Sequence, residues 1–502
     1  MVKMAAQSTL ETLPDELLLN ITSSLPTPGL KEFCLVSGKV RPIVQDVLYR
    51  DINVRGFGHY HPGVNRMMSL LGTLLSRPDL ALKVDSLCFR TVRKNFRKQY
   101  EDHAFDFAGL QEMCLGRLKE LGHGEGDPWH TMFKASIESA FAGLLLALVP
   151  NLATLDLAIF DNHHGLFAYE PLVALFGTPM PAKAALPTFR HLRHLSIPSV
   201  HLPLLALDLQ NLTKLEMDKM TTIQMSRLNG PNSLAGASKL KKLKLEAVVQ
   251  LMEVDHIEAC YITFADLLAA LGNPALTSLD VHFFSEACPH GSAKLDMSRF
   301  MQELESVSTS LEELKFWLRY DCMHGDCEWI LDNVRAPATS LKHFTALKTL
   351  TLPDNFLFAR SIECESIAEI IPPNLEALEI IYPSAASMDL LKHLADERQS
   401  GKFAALDKVS LVCCDQYNLP AEYFWNHDVP NAREASFSVI AYCQEQDLYA
   451  PLGCGEDDAS SDDDDDDDDD DDLDELPDLE ELDGVETVRH HSIEDIEVAE
   501  MD

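Results

Sequence analysis

With 502 residues, 46% of them hydrophobic and 24% charged, the chain is long enough to close a large core without help from metals or disulfides. Its formal net charge of −39 argues against a nucleic-acid-binding role, because a polyanion repels so acidic a protein. Residues 1–11 form a flexible N-terminus without an apolar signal region, and the longest apolar run, Ala140 to Val149, is too short to span a bilayer. The chain is therefore expected to be cytoplasmic or nuclear, with its twelve cysteines reduced.

From Thr12 the pattern turns helical. Thr12 is placed to cap a helix with Asp15 three residues on, Pro14 suits a first turn, and Leu17, Leu18, Ile21 and Leu25 recur at helical spacing. Pro26 and Pro28 end that helix, a second carries Leu30, Phe33 and Ser37 up to Gly38, and a third runs from about Pro42 with Ile43, Val44, Val47 and Leu48. Three short helices in about forty residues bury little apolar surface alone, so they should lean on a partner or on the next domain.

The ordered set Leu13-Pro14-Asp15-Glu16-Leu17-Leu18, Ile21, Leu25, Leu35-Val36-Ser37 and Val47-Leu48-Tyr49-Arg50-Asp51-Ile52 resembles an F-box, and its last phrase resembles fungal members. The chain departs from that pattern at Gly38-Lys39-Val40, where the family usually has a basic pair and an aromatic. The resemblance implies that residues 12–52 dock the Skp adaptor and, through it, the cullin of an SCF-type ubiquitin ligase. Leu13, Pro14, Leu17, Leu18, Ile21, Leu25, Leu35, Val36 and Leu48 would carry the dock and the packing of the small domain.

Residues 53–150 read as linker helices, with Leu-rich stretches at Ala104 to Leu121 and Ser136 to Val149, around a first strand at Val84-Leu87-Phe89. A Leu-x-x-Leu-x-Leu-like phrase then returns nine times, from Leu152-Leu155-Leu157 to Leu406-Val409-Leu411. Its second positions lie 40, 20, 28, 36, 35, 36, 28 and 31 residues apart, and Ala432-Ala435-Phe437 reads as a degenerate last copy. Between the phrases, Phe264, Leu267, Leu268 and Leu271, then Met297, Phe300, Met301 and Leu304, then Leu390, Leu391 and Leu394, form helical faces. Residues 151–445 are thus expected to form an irregular leucine-rich-repeat solenoid of α/β class, with parallel strands on a concave face, helices on the convex one, and insertions such as Asp161 to Leu186 at the rim. An F-box followed by such repeats resembles the leucine-rich F-box class.

Strand parity selects a binding face. If Leu279, Val281 and Phe283 point inward, Asp280, His282 and Phe284 point out; likewise Leu314, Phe316 and Leu318 in, Lys315, Trp317 and Arg319 out; and Leu378, Ile380 and Tyr382 in, Glu379 and Ile381 out. His282, Phe284, Trp317 and Arg319 are the expected target contacts, since aromatic and arginine side chains suit protein interfaces.

Catalytic and metal signals are weak. Cys322 and Cys327 flank His324, but no second pair completes a four-ligand zinc site, and His163-His164 and His490-His491 have no partner at ligand spacing. None of the usual nucleophile, metal or phosphate-cradle patterns occurs, so no cofactor and no enzymatic role are expected. The basic run from Arg90 to Lys98 reads as a solvated helix or loop. Residues 456–502 contribute −25 of the net charge around eleven consecutive aspartates, Asp462 to Asp472, and form an expected disordered tail. The chain is accordingly expected to be a non-catalytic receptor that binds a protein target. The alternative is an acidic-tailed repeat protein that binds basic partners without a ligase role.

Overall fold

A computed structural model of the chain describes residues 10–55, 64–160 apart from Arg93, 190–198, 211–220, 239–248, 265, 267–268, 271, 275–284, 295–318, 334–336, 341–357, 370–413 and 438–443. The Asp161 to Leu186 insertion, the Cys322 to Cys327 segment, both histidine pairs and the acidic tail lie outside the described residues. Among the described residues, no helix is long and apolar enough to cross a membrane.

The fold is α/β, organised on a twelve-stranded parallel sheet. Its strands are β1 (Asp51–Asn53), β2 (Ser86–Val92), β3 (Thr154–Phe160), β4 (His194–Pro198), β5 (Lys214–Met220), β6 (Lys242–Val248) and β7 (Ser278–Phe284). It continues with β9 (Glu313–Leu318), β11 (Thr349–Pro353), β12 (Ala377–Ile381), β13 (Lys408–Cys413) and β14 (Ser438–Cys443). The short β8 (Leu295–Asp296) and β10 (Val334–Ala336) pair with each other apart from it. Strands follow one another across the sheet in chain order. Parallel neighbours require a crossover between each pair, which is why strand phrases alternate with helices in the sequence.

Each recurring phrase supplies one strand. Its three apolar positions face the core: Leu155, Leu195, Leu215, Leu243, Leu279, Leu314, Leu350, Leu378 and Val409 are all essentially without exposure and form one row across nine strands. The strand entrances repeat as well. The carbonyl of the residue before a strand accepts from two successive N–H groups of the next: Arg50 from Asp85 and Ser86, Arg193 from Thr213 and Lys214, Glu312 from Lys348 and Thr349. Asparagines one residue before the phrase reinforce this; the Nδ2 groups of Asn151, Asn211 and Asn374 donate to the carbonyls of Leu82, Arg190 and Thr345 at 2.8, 2.8 and 3.2 Å.

The sheet extends past the nine phrases at both ends. The Val84-Leu87-Phe89 phrase supplies β2, and before it the end of the third N-terminal helix runs directly into Asp51–Asn53, an unexpected strand that pairs in register with Ser86–Cys88. The last described strand is β14, in register with Lys408–Cys413; the Ala432-Ala435-Phe437 phrase lies outside the described residues.

Helices α4 (Arg66–Ser76), α5 (Pro78–Ala81), α6 (Arg97–Asp102), α7 (Phe107–Glu120), α8 (Pro128–Lys134) and α9 (Glu138–Leu148) occupy the intervals around β2. Their core holds Tyr100, Phe107, Trp129, Phe133 and Phe141, with Phe133 and Phe141 edge to face at 4.5 Å. Glu138 is buried at its centre and accepts from Asn65 Nδ2 at 2.8 Å, Thr91 Oγ1 at 3.2 Å, Val92 N at 3.3 Å and the Tyr100 hydroxyl. A buried carboxylate needs such donors. Burial and that carboxylate push the Tyr100 phenol above its ordinary pKa. The basic run is correspondingly divided: Arg90 is buried in β2, and only its later part, from Arg97, is a surface helix where Arg97 pairs with Glu101 at 2.9 Å.

Further along, the core side is covered by α10 (Met297–Glu303), α11 (Asp354–Leu357) and α12 (Ala385–Gln399). Leu267, Leu268, Leu271, Met297, Phe300, Met301, Leu304, Leu390, Leu391 and Leu394 are buried, as their spacing predicts; the Phe264 side chain lies outside the described residues. Phe283, Phe300, Phe316 and Phe356 form an aromatic cluster beneath β7 and β9, with ring centroids 5.6 to 6.3 Å apart.

Candidate docking surfaces

The N-terminal helices are α1 (Asp15–Ser23), α2 (Thr27–Phe33) and α3 (Val40–Leu48), preceded by a 3-10 turn, Leu10–Thr12. The cap position of α1 falls on Pro14, whose extended backbone lets the helix start at Asp15; Thr12 belongs to the preceding turn and is not the cap. The small core of this bundle is Leu18, Leu30, Val40 and Val44, flanked by partly buried Leu13, Leu25, Phe33 and Leu48.

Burial divides the nine expected docking residues into two groups. Leu18 is fully buried, Leu13, Leu25 and Leu48 pack around it, and these four hold the bundle together. Pro14 is exposed, and so are Leu17 (49%), Ile21 (36%), Leu35 (78%) and Val36 (58%). Leu17 and Ile21 stand one turn apart on α1, so they share a face. Leu35 and Val36 sit in the turn after α2, where their amides bond back to Glu32 and Phe33 at 3.0 and 3.1 Å. Leu19, at 37%, is also exposed and was not singled out by its sequence position.

The Gly38-Lys39-Val40 segment has a packing role. Val40 is fully buried, its amide faces the Ser37 hydroxyl at 3.3 Å, and Lys39 Nζ donates to the Leu13 carbonyl at 2.8 Å while lying 3.7 Å from Asp15. These bonds tie the start of α3 to the start of α1. The bundle in turn is joined to the sheet by Lys83, paired with Asp46, and by the Arg50 carbonyl at the entrance to β1.

The second surface is the face of the sheet opposite the core. In-register pairing lays its side chains out in rows: His194, Lys214, Lys242, Ser278, Glu313 and Thr349 in one, Ser196, Glu216, Lys244, Asp280, Lys315, Thr351 and Glu379 in the next. Glu216 pairs with Lys214 and has His194 Nε2 at 3.4 Å; His194 and Lys214 together outweigh burial and hold its carboxyl down at about 2. Glu313 feels burial pushing its pKa up, but bonds from Lys315 and Ser278, both at 2.7 Å, keep it below its ordinary value.

Of the four expected target contacts, two are visible on this face. His282 and Trp317 are half-buried and stacked, with centroids 6.0 Å and planes 21° apart, and His282 Nε2 lies 3.0 Å from Asp280. The Phe284 side chain and all of Arg319 lie outside the described residues. Asp280, Lys315 and Glu379 are half-buried outward residues, as parity predicts, while Leu279, Val281, Phe283, Leu314, Phe316, Leu378 and Ile380 are in the core.

Ile381 is the exception. It is 1% exposed, although parity points it outward, and its neighbours Pro353 and Val412 in the same row are buried too. Alternation sets direction, not exposure. Tyr382 adopts a positive φ of 54°, while Asp354 Oδ2 accepts from Ser384 N at 3.1 Å and Asp354 Oδ1 from the Ser387 hydroxyl at 2.9 Å. Burial of Asp354 pushes its pKa up to about 6 against those two bonds.

Among the described residues, no group of three His, Cys, Asp or Glu side chains is arranged to hold a metal ion. Cys88 is half-buried beside Asp156, which together with burial pushes its thiol up to about 11, and Cys114 is buried and pushed up as well, so neither is a ready nucleophile. No protein-family model matches the chain, and neither does any curated protein.

Proposed function

We propose that the chain is the target-holding receptor of an SCF-type ubiquitin ligase. Residues 13–52 act as an F-box that docks the Skp adaptor and through it the cullin, and the strand repeats form a leucine-rich-repeat domain that binds the target. The observation that carries this reading is the set of exposed Leu17, Ile21, Leu35 and Val36 side chains on a bundle whose own core is four residues. Exposed apolar side chains in such number on so small a unit are what a protein contact would cover. The sequential parallel sheet, with one strand per repeat, supports the repeat-domain assignment. In this role the protein supplies proximity and orientation between target and transferred ubiquitin, and no nucleophile.

A second reading rests on the −25 charge of residues 456–502: an acidic-tailed repeat protein that attracts basic partners without an adaptor. Co-purification separates the two. The wild-type chain is expected to retain Skp adaptor and cullin, while a Leu17→Asp, Ile21→Asp variant with an unchanged melting temperature retains neither. Capture by both chains, or by neither, overturns the receptor reading. Basic partners lost on deletion of 456–502, with no adaptor bound, establish the second.

A further inference from the structure

The strand-entrance edge of the sheet is not evenly charged. Where strands β4, β5 and β6 begin, the described basic side chains are Arg190, Arg193, Lys214, Lys239, Lys241 and Lys242, with no carboxylate among them before Glu216. This concentration of cations stands in a chain of net charge −39. At the corresponding entrances of β9, β12 and β13 stand Glu312, Glu313, Glu376 and Asp407 instead, with Lys348 bonded to Glu312 at 2.8 Å.

Register makes the basic strip costly. His194, Lys214 and Lys242 occupy one row on successive strands, which lie about 4.8 Å apart. Like charges directly opposite each other destabilise a sheet. Glu216 neutralises Lys214 from the next row. Lys242 lies in the field of Glu313, and Lys244 stands in register between Glu216 and Asp280; among the described residues Arg193 forms no ion pair, and Lys241 bonds to the Ala275 carbonyl at 3.4 Å. Among the described residues, Arg193 and Lys241 at this corner are thus left without a carboxylate partner.

We propose that the strand-entrance corner of β4–β6 binds an acidic peptide segment of a partner protein. Charge complementarity selects the occupant. A carboxylate every second residue of an extended peptide meets cations presented in rows at comparable spacing, and desolvating them relieves the repulsion within the row. A duplex nucleic acid would bring a far larger field of negative charge against the acidic remainder of the chain. The inference deepens the receptor reading by naming what the target presents, and it is tested without the adaptor, so its failure leaves the co-purification result standing.

The probe is a fluorescent peptide of about twelve alternating Glu and Ser residues, which at roughly 3.3 Å per residue spans all three strands. Its anisotropy is titrated with the purified full-length chain, beside a Gln-Ser peptide and a DNA duplex. The Glu-Ser peptide should bind, weaken with added salt, and lose at least about tenfold in affinity in Lys241→Glu, Lys242→Glu. The Lys348→Glu, Lys408→Glu variant, changed on the same edge away from the strip, should stay within about twofold of wild type. Equal binding of the Gln-Ser peptide, equal loss in both variants, or tighter binding of the duplex overturns the proposal.

Discussion

The N-terminal bundle and the sheet treat apolar side chains in opposite ways. Across the sheet every Leu of the repeating phrase from Leu155 to Leu378 is closed off, and one core cluster runs from Ile52 to Cys413. In the bundle four apolar residues are buried while Leu17, Leu19, Ile21, Leu35 and Val36 stay exposed. The difference follows from size. A forty-residue unit has too little interior for its apolar side chains, whereas each strand of a repeat lies between two neighbours that cover it. Among the described residues, the sheet thus covers its apolar rows from within the chain, and the bundle leaves several of its apolar side chains uncovered.

The sharpest way to break this comparison is to open the core of the sheet. Phe316→Ala removes the ring that contacts Phe283, Phe300 and Phe356 and should cost about 3–5 kcal/mol by urea denaturation. A loss below about 1 kcal/mol would mean that the aromatic cluster is loosely packed.

The next effect is pH-dependent and lies at the strand exits. Asp354 has its folded pKa raised from 3.8 to about 6 by burial, so the protonated form is favoured in the native state. Its contribution is fully present below the unfolded value and is lost as pH rises through the folded one. Stability should therefore fall by about 3 kcal/mol on this account between about pH 4 and about pH 7. Asp354→Asn should remove that component, read as a flatter difference between urea midpoints at the two ends of the range. An unchanged slope in the variant would show that Asp354 is ionised without penalty.

The smallest expected change in stability is in the bundle, where Leu35→Asp, Val36→Asp should stay within about 0.5 kcal/mol of wild type because both side chains already meet solvent. The same substitutions should abolish adaptor capture. A large stability loss would instead show that the two side chains pack inside the chain, and the contrast between bundle and sheet would fail.

Much of the sheet was legible because its code is local and repeated. The Leu-x-x-Leu-x-Leu phrase predicts nine strands and their inward side, and the i, i+3, i+4 spacing predicts the buried faces of α10 and α12. β14 escaped because Ala441 stands where a leucine would mark the phrase, and β1 because Asp51–Asn53 continues directly from a helix. The Asn that bonds back from before the phrase, in Pro150-Asn151-Leu152 and Pro373-Asn374-Leu375, was a readable signal that periodicity of apolar residues does not capture.

The candidate surfaces were only half legible. Helical spacing places Leu17, Leu18, Ile21 and Leu25 together, but a 100° step separates Leu17 from Leu18, and packing against Leu30, Val40 and Val44 decides that Leu18 is inside while Leu17 is out. Sequence by itself therefore determined which residues are apolar, their period and so the strand direction of each. Tertiary structure decided which of them meet solvent, as for Leu35 and against Ile381, and which charges become neighbours, as for Lys214 and Lys242 twenty-eight residues apart. Periodicity is a property of neighbours along the chain, whereas exposure and charge pairing depend on what folding brings across it.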